Sequence, residues 1–248
     1  MYRLLFILVL APTGACVPDS GDEGILITKN VKPADGCLLT ASVDEAFLGH
    51  GTMSSVLLND YLFIAQMKSR ITATDIQIDQ RTIFTEGANV DLTFPNSTLF
   101  SADELAEMKA SGLTHFKSLF SAPIAPNGGI TDATFMIIPE ALVARIGAKD
   151  ANAQSFDPAA PRFALEVVAA ITVTGTLAGD AVDSNPYSYP VTITNRDVVQ
   201  VAGTCPLPLG TVPLLGNACG DLQDAPVTCC TDGDQLVCPA TVDTMPPA

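Results

Sequence analysis

Residues 163–174, with the sequence FALEVVAAITVT, contain the clearest strand pattern in the chain. Every second residue from Phe163 to Val173 is apolar, and side chains two positions apart in a strand point to the same side. Residues 189–194 (YPVTIT) also have a strand-like pattern. Residues 175–183, between the two segments, are small and polar and suit a turn. We therefore expect two antiparallel strands that start a β-sheet.

More strands are predicted on both sides of this pair. Short apolar or alternating segments typical of strands occur at residues 25–27, 37–41, 76–79, 89–94 and 198–201. Residues 54–68 contain a continuous apolar run that suits a strand buried on both faces, although its periodicity is also compatible with a helix. Glu86 and Gly87 are predicted to form a turn.

Two helices are predicted from their end signals. Ser101 and Glu104 have the spacing of a capping box, and Gly112 ends the pattern that follows. The second helix has Pro139 at its first position and Gly147 just past its last turn. Both helices are short, and they do not alternate with the strands as a parallel α/β sheet requires.

The predicted fold is therefore mainly β. We expect an Ig-like β-sandwich over residues 24–203, with two short helical insertions and a disulfide-rich C-terminal tail. This tail, residues 204–248, is rich in cysteine and proline and contains no Lys, Arg or His. Such a segment lacks the apolar residues for a core of its own, so we expect disulfides to hold it in place.

Six cysteines are candidates for these disulfides: Cys37, Cys205, Cys219, Cys229, Cys230 and Cys238. The adjacent pair Cys229 and Cys230 has Cα atoms about 3.8 Å apart, below the usual disulfide range of about 4.4–6.8 Å, so each needs a different partner. Five tail cysteines cannot all pair among themselves, and one is predicted to reach Cys37. That bond closes a loop of at least 168 residues (205 minus 37) and stabilises the fold by about 4–5 kcal/mol in the chain-entropy model.

The N-terminus has the pattern of an export signal. Arg3 precedes eight apolar residues, 4–11, and a run of this length is too short for a membrane span, which needs about 20. Residues 13–16, Thr-Gly-Ala-Cys, resemble the lipobox of bacterial lipoproteins. Thr13 departs from the lipobox pattern, which usually has an aliphatic residue at this position.

The resemblance implies how this segment is processed. Residues 1–15 would be removed as a signal peptide, Cys16 would receive lipid such as palmitate, and residues 16–23 would tether the folded body to the lipid. The six remaining cysteines form an even set, as disulfides in an exported protein require. Ordinary cleavage near Ala15, which leaves an odd cysteine, is the alternative.

Charge and composition argue against several kinds of partner. Without residues 1–15, which contain Arg3 and no acidic residue, the net charge changes from −15 to −16. This charge argues against nucleic acid and against electrostatic docking on anionic lipid. The absence of Trp argues against aromatic stacking platforms for sugars or bases. The predicted partners are the membrane, through the lipid anchor, and other envelope proteins; no cofactor is predicted.

His50 is the candidate for a catalytic residue. It lies in a Gly-His-Gly-Thr segment, with Ser54 and Asp60 close in sequence. No Gly-x-Ser-x-Gly elbow accompanies it, and the chain has only one other histidine, His115, which excludes a His-rich metal site. We therefore expect His50 to be a polar turn residue and the protein to be no enzyme.

The acidic tail is the candidate for a metal site. Its aspartates could bind calcium, but the spacing of an EF-hand loop is missing; they are Asp221, Asp224, Asp232 and Asp234. Zinc binding by the tail cysteines is disfavoured because there is no C-x-x-C pair and because export favours oxidation. No metal site is therefore predicted.

These observations together predict a non-catalytic lipoprotein of the bacterial cell envelope. Lipid would anchor it to the outer membrane, with the body on the periplasmic or the surface face. Its expected role is that of a structural subunit, or a subunit that binds a ligand or a partner, at the membrane. The alternatives are a secreted hydrolase that uses His50 and a calcium-dependent adhesin.

Overall fold

The computed structural model describes residues 23–57, 60–74, 81–95, 97–157, 159–207, 210–219, 222–233 and 235–238. The predicted signal peptide, Cys16, residues 17–22 of the tether and the predicted strand at residues 76–79 lie outside the described residues.

The described residues contain 14 strands and two α-helices. In chain order the strands are β1 (Ile25–Val31), β2 (Phe47–Leu48), β3 (Gly51–Ser54), β4 (Tyr61–Ser69), β5 (Ile83–Thr93), β6 (His115–Ser118), β7 (Pro123–Ile124), β8 (Ile130–Ile138), β9 (Ala164–Leu177), β10 (Asp180–Asp183), β11 (Tyr187–Thr194), β12 (Val199–Thr204), β13 (Val227–Asp232) and β14 (Gln235–Val237). The helices are α1 (Ala102–Ala110) and α2 (Glu140–Lys149), and a 3-10 turn, Ala151–Gln154, follows α2.

The strands form three sheets. The first has the order β2-β1-β4-β8, and all its pairs are antiparallel. The second has the order β3-β11-β9-β5-β6, with β10 paired to β9 and β7 paired to β5. The third, smaller sheet has the order β12-β13-β14.

The two large sheets share one hydrophobic core. Buried side chains of β1, β4 and β8 belong to the same cluster as those of β5, β9 and β11. The rings of Phe63 on β4 and Tyr189 on β11 are 5.1 Å apart between centroids, so the sheets meet face to face. The mainly β fold with two helical insertions and a disulfide-rich tail is confirmed, and the Ig-like form of the sandwich stays a prediction.

The strand predicted at residues 163–174 is β9, and it occupies the centre of the second sheet. In β9, buried residues alternate with more exposed ones from Leu165 to Val173, as predicted. The expected partner, β11, pairs with it in antiparallel register, with Val191 opposite Val167. The prediction that residues 175–183 form the turn between these strands is wrong in detail, because β9 continues to Leu177 and β10 pairs with β9. The turn is only Ala178 and Gly179, both with positive φ, as a two-residue hairpin requires.

The predicted turn at Glu86 and Gly87 is also wrong. β5 continues through both residues, and its pairing with β9 shifts register between Thr85 and Gly87, which marks a β-bulge. Gly87 has φ 144°, and a Cβ at this position would lie 2.5 Å from the carbonyl oxygen of Ser118. Glycine is therefore required by the bulge and not by a chain reversal.

Residues 37–41 form a loop and not the predicted strand. Cys37 and Ala41 have φ of 58° and 50°, which breaks the extended conformation. Two carboxylates hold the loop instead. The amide of Thr40 donates to Glu45 Oε1 at 2.5 Å, and the amide of Ala41 donates to Asp132 Oδ2 at 2.9 Å.

The apolar run at residues 54–68 contains a strand, as predicted, and not the alternative helix. It is β4, in which seven of nine residues are buried. The loop that replaces the strand at residues 37–41 continues over part of its outer face, where Gln66 Nε2 donates to the carbonyl oxygen of Ser42 at 2.8 Å. Burial on both faces explains why this strand shows no alternation.

Both predicted helices are present. Ser101 caps α1, and the reciprocal bonds with Glu104 complete the capping box. In α2, Pro139 is the N-cap and not the first helical residue, and Gly147 lies inside the helix and not after it. A Cβ on Gly147 would collide with the side chain of Gln154, so this glycine permits the 3-10 turn to pack on the helix.

The six candidate cysteines form three disulfides: Cys37–Cys219, Cys205–Cys230 and Cys229–Cys238. The prediction that one tail cysteine reaches Cys37 is confirmed, as is the prediction that Cys229 and Cys230 have different partners.

Residues 198–201 do not extend the sandwich as expected. They contribute to β12, which pairs with β13 in parallel, and Val199, Val227 and Cys229 form a second small buried cluster. The tail thus shares a small apolar cluster with the end of the preceding segment, in addition to its disulfides. The domain boundary at 203/204 stays a prediction.

Candidate functional site

A cluster of polar side chains lies where the tail meets both large sheets. It contains Tyr61 from β4, Tyr189 from β11 and the tail residues Gln223 and Asp224. The Cys37–Cys219 disulfide ties the chain to the sandwich four residues before Gln223. The cluster is therefore the place where the tail docks.

Gln223 acts as a substitute for a neighbouring strand. Its Oε1 accepts from the amide of Leu62 at 2.8 Å, and its Nε2 donates to the carbonyl oxygen of Leu62 at 2.7 Å. Leu62 lies beyond the last pair between β1 and β4, Asn30 with Ala65, so a side chain supplies the backbone partners that β1 does not. Gln223 is buried, which makes these two bonds costly to lose.

Asp224 binds the edge strand of the second sheet. Its amide donates to the carbonyl oxygen of Thr52 at 2.7 Å, and its Oδ1 accepts from the amide of Thr52 at 2.8 Å. The hydroxyl of Tyr61 donates to the same carboxylate, 2.8 Å from Oδ2. Asp224 has φ 60°, a conformation that aspartate tolerates better than most residues. The tail thus covers the exposed edge of β3.

A chain of hydroxyls continues from Asp224 into the core. The hydroxyl oxygens of Tyr61 and Tyr189 are 3.1 Å apart, and they join the two sheets. Because an ionised Asp224 only accepts, Tyr61 donates to it and accepts from Tyr189. Burial, followed by the charge of Asp224, raises the pKa of Tyr61, and burial raises the pKa of Tyr189 to about 12. Both tyrosines stay protonated near neutral pH.

Burial also raises the pKa of Asp224, although its hydrogen bonds to Thr52, Tyr61 and Gln223 oppose this effect. Desolvation penalises the charged form, and the donors around it stabilise that form. All these donors belong to the protein. The carboxylate therefore serves as an internal acceptor that fixes the tail.

Gly51 makes room for this arrangement. A Cβ at this position would lie 2.5 Å from the hydroxyl oxygen of Tyr61. The glycine in the Gly-His-Gly-Thr segment thus has a packing reason, because a side chain would displace the tyrosine that holds Asp224.

His50 lies at the exposed edge of the cluster. Its Nε2 is 2.8 Å from Thr192 Oγ1, on the strand that pairs with β3. Its charge also contributes, as the smallest cause named, to lowering the pKa of Asp224. The structure thus brings His50, the candidate catalytic residue, near Asp224, one of the candidate calcium ligands.

The other residues considered for a hydrolase lie elsewhere. Ser54 is buried at the end of β3, where its hydroxyl accepts from the amide of Val56. Four residue steps along the chain separate it from His50, which is a distance of about 13 Å between Cα atoms when extended. Asp60 is exposed just before β4. A cavity of about 210 Å³ is lined by Phe156, Asn195, Arg196, Val199 and Val201, and contains none of these residues.

The four tail aspartates do not gather into one site in the part that the structure describes. Asp221 and Asp234 lie outside it, Asp232 is exposed at the end of β13, and Asp224 is bound by protein donors. Within the described ranges, no group of three or more His, Cys, Asp or Glu side chains is placed to hold a metal ion. None of the helices in those ranges is long and apolar enough to cross a membrane.

No family model and no curated protein matches this chain. A crystal structure of a protein from Archaeoglobus fulgidus is similar over 58% of this chain and 90% of that chain, with 9% sequence identity and a TM-score of 0.30. A likeness at this level carries no argument about fold or function.

The sequence gives no sign of a role in this cluster for three of its members: Tyr61, Tyr189 and Gln223. Both tyrosines lie inside strand patterns, where a large side chain indicates only a core position. Gln223 lies four residues after Cys219, but only the structure shows that this cysteine bonds outside the tail, so the sequence offers no signal for Gln223.

Proposed function

We propose that this protein is a non-catalytic lipoprotein of the bacterial cell envelope. Lipid on Cys16 anchors it to the outer membrane, and the body works on the periplasmic or surface face. There it serves as a structural subunit, or one that binds a ligand or another envelope protein.

The pairing of the cysteines is the observation that supports the anchor. Of the seven cysteines, six form three disulfides, and Cys16 is the one outside those pairs. Three disulfides suit an oxidising compartment, where a spare thiol would be a liability. Because Cys16 directly follows the lipobox-like residues 13–15, acylation gives this cysteine a function that a disulfide does not.

The polar cluster supports a role without catalysis. Each oxygen of Asp224 accepts from a donor of the protein, and the hydroxyl of Tyr61 is engaged on both sides. Groups that are mutually satisfied in this way stabilise a structure and are not free to bind a reacting atom. The cluster thus serves to fix the tail.

Mass spectrometry of protein purified from membranes tests the proposal. We expect a mature chain that starts at Cys16, carries the added mass of lipid, and yields three disulfide-linked peptide pairs without reduction. The Cys16→Ala variant is the matched control and should lack the lipid and leave the membrane fraction. An unmodified Cys16, or reduced thiols on a chain that still begins at Met1, would overturn the proposal.

The hydrolase is the second candidate, because a hydroxyl does meet the imidazole of His50. The pair is His50 with Thr192 at 2.8 Å, and His50 is the smallest of the causes that lower the pKa of a carboxyl, that of Asp224. We expect no turnover of ester or glycoside substrates by the natural protein. Turnover that both His50→Ala and Thr192→Val abolish would favour the hydrolase.

The adhesin alternative is tested by heat. A calcium site formed only in the folded state raises the melting temperature through mass action. We expect millimolar calcium to leave the melting temperature unchanged, and a clear rise that a chelator reverses would favour the adhesin.

A further inference from the structure

One end of the sandwich lies next to the point where the tether enters. Gly24 is in contact distance of the second sheet, since a Cβ built on it would lie 3.6 Å from the side chains of Ile83 and Val182. Ile83 begins β5 and pairs with Leu177, the last residue of β9. The tether therefore leaves the body beside the first residues of β5.

Two large apolar side chains are exposed on the first half of β5 and on the segment beside it. Phe84 is 53% exposed and Leu119 is 78% exposed. Phe84 follows the buried Ile83 in β5, and its neighbour Thr85 donates to the carbonyl oxygen of Ala122 at 3.1 Å. Leu119 belongs to the same adjoining segment, and its Cα would lie 3.3 Å from a Cβ on Gly87. Both side chains thus project from neighbouring backbone segments.

The length of the tether restricts how far this end can be from the lipid. From Cys16 to Glu23 there are seven residues, which span at most about 25 Å when fully extended. A body held this closely by one terminus keeps the surface around that terminus within reach of the bilayer. Exposed apolar residues beside an anchor then have a lipid interface within reach.

The charges near these two residues include two ion pairs, and the neighbouring strand β10 adds the exposed acids Asp180 and Asp183, for which the described residues show no ion pair. Arg70 is 3.9 Å from Glu23, and Lys117 is 3.8 Å from Glu86. Ion pairs and acidic side chains give no net attraction to anionic headgroups, so the surface suits the headgroup region of a neutral bilayer. Long basic side chains can also extend from an apolar contact toward water.

We propose that this end of the sandwich contacts the membrane, with Phe84 and Leu119 inserted at the boundary between headgroups and acyl chains. The inference rests on the proposed lipid anchor at Cys16, and it adds a second, non-covalent contact. The contact also fixes the orientation of the body, so that the opposite end faces away from the bilayer.

The opposite end provides a matched control. Phe47 is 66% exposed and lies opposite Val31, at the far end of β1 from Ile25. Six residue steps along β1 separate the two ends by about 20 Å. Phe47 thus resembles Phe84 in chemistry and exposure but lies away from the tether.

Tryptophan fluorescence tests the orientation, because the chain contains no tryptophan. The full mature protein, isolated from membranes and reconstituted in phosphatidylcholine vesicles with brominated acyl chains, would carry Phe84→Trp, Leu119→Trp or Phe47→Trp. We expect a blue shift and strong bromine quenching for the first two variants, at a depth of about 5–10 Å. We expect neither for Phe47→Trp.

Mass spectrometry of the same preparations separates the two proposals. If Cys16 carries lipid and neither Phe84→Trp nor Leu119→Trp is quenched, this inference fails and the anchor stands. Quenching of Phe47→Trp equal to that of Phe84→Trp would also overturn it. A blue shift of Phe84→Trp in these vesicles without quenching by the brominated chains would show that protein and not lipid covers this surface, and would overturn the inference as well. If Cys16 carries no lipid, both proposals fall.

Discussion

Removal of the Cys37–Cys219 disulfide should destabilise the protein more than removal of either tail-internal bond. This bond closes a loop of 182 residues, and the Cys205–Cys230 bond closes one of 25. In the chain-entropy model, these loops stabilise by about 5 kcal/mol and about 3.5 kcal/mol respectively. Cys37 is exposed and Cys219 is half-buried, so serine at both positions adds little loss of packing.

The assay is thermal unfolding followed by circular dichroism, on Cys37→Ser/Cys219→Ser and on Cys205→Ser/Cys230→Ser as the control. For a chain of this size, each kcal/mol shifts the melting temperature by about 2–4 °C, so we expect a loss of about 10–20 °C for the first variant and about 7–14 °C for the control. Coincident far-UV and near-UV transitions would establish that unfolding is cooperative.

Loop length is the reason for this ranking, although the control also replaces the buried Cys230 and so loses some packing. If the Cys37→Ser/Cys219→Ser variant melts several degrees above the control or loses no stability at all, the loop-length argument is wrong. The contacts of Gln223 and Asp224 would then hold the tail without help from the disulfide.

Three further predictions concern single residues. Because burial raises the pKa of Asp224, its folded carboxyl binds a proton more tightly than an unfolded aspartate, whose pKa is about 3.9. The stability that Asp224 contributes is therefore greatest below about pH 4 and falls as the pH rises through the folded pKa. Asp224→Asn should flatten this part of a plot of unfolding free energy against pH, and an unchanged slope would count against the prediction. Tyr61→Phe should cost about 1–3 kcal/mol in urea unfolding, because it removes a donor from a buried carboxylate; a loss no larger than that of Tyr187→Phe, whose ring is only partly buried, would contradict this. Gly87→Ala should lower the free energy of unfolding in urea by about 3 kcal/mol or more, because of the φ of Gly87 and the nearby carbonyl of Ser118. Gly36 has a positive φ but open space around it, so Gly36→Ala should lower it by only about 1–2 kcal/mol. Equal losses would show that the collision with Ser118 is relieved.

Features that depend on local pattern or on counting were predictable from the sequence. Alternation in β9 follows from the geometry of one strand, and the capping box of α1 needs only Ser101 and Glu104. The link from the tail to Cys37 followed from an odd number of tail cysteines. Each of these inferences uses only the residues of one segment or the number of cysteines in the tail.

Features that depend on a partner elsewhere in the chain were not predictable. Glycine is common in both turns and bulges, and only the neighbouring Ser118 shows that Gly87 belongs to a bulge. Residues 37–41 have the sequence pattern of a strand, but they form a loop in which the amide of Ala41 donates to Asp132, more than 90 residues later in the chain. The polar cluster joins Leu62 to Gln223, 161 positions apart, and no spacing rule in the sequence covers such a distance.

The Cys37–Cys219 bond has a consequence for how the protein withstands proteases. A single cleavage at any peptide bond between these two cysteines produces two fragments that stay covalently joined, because one carries Cys37 and the other carries Cys219. Both fragments would therefore remain attached to residue 16, and a nicked molecule would migrate as one species until a reductant separates it. Shedding of the body by one cut requires that the cut fall in the short segment before Cys37.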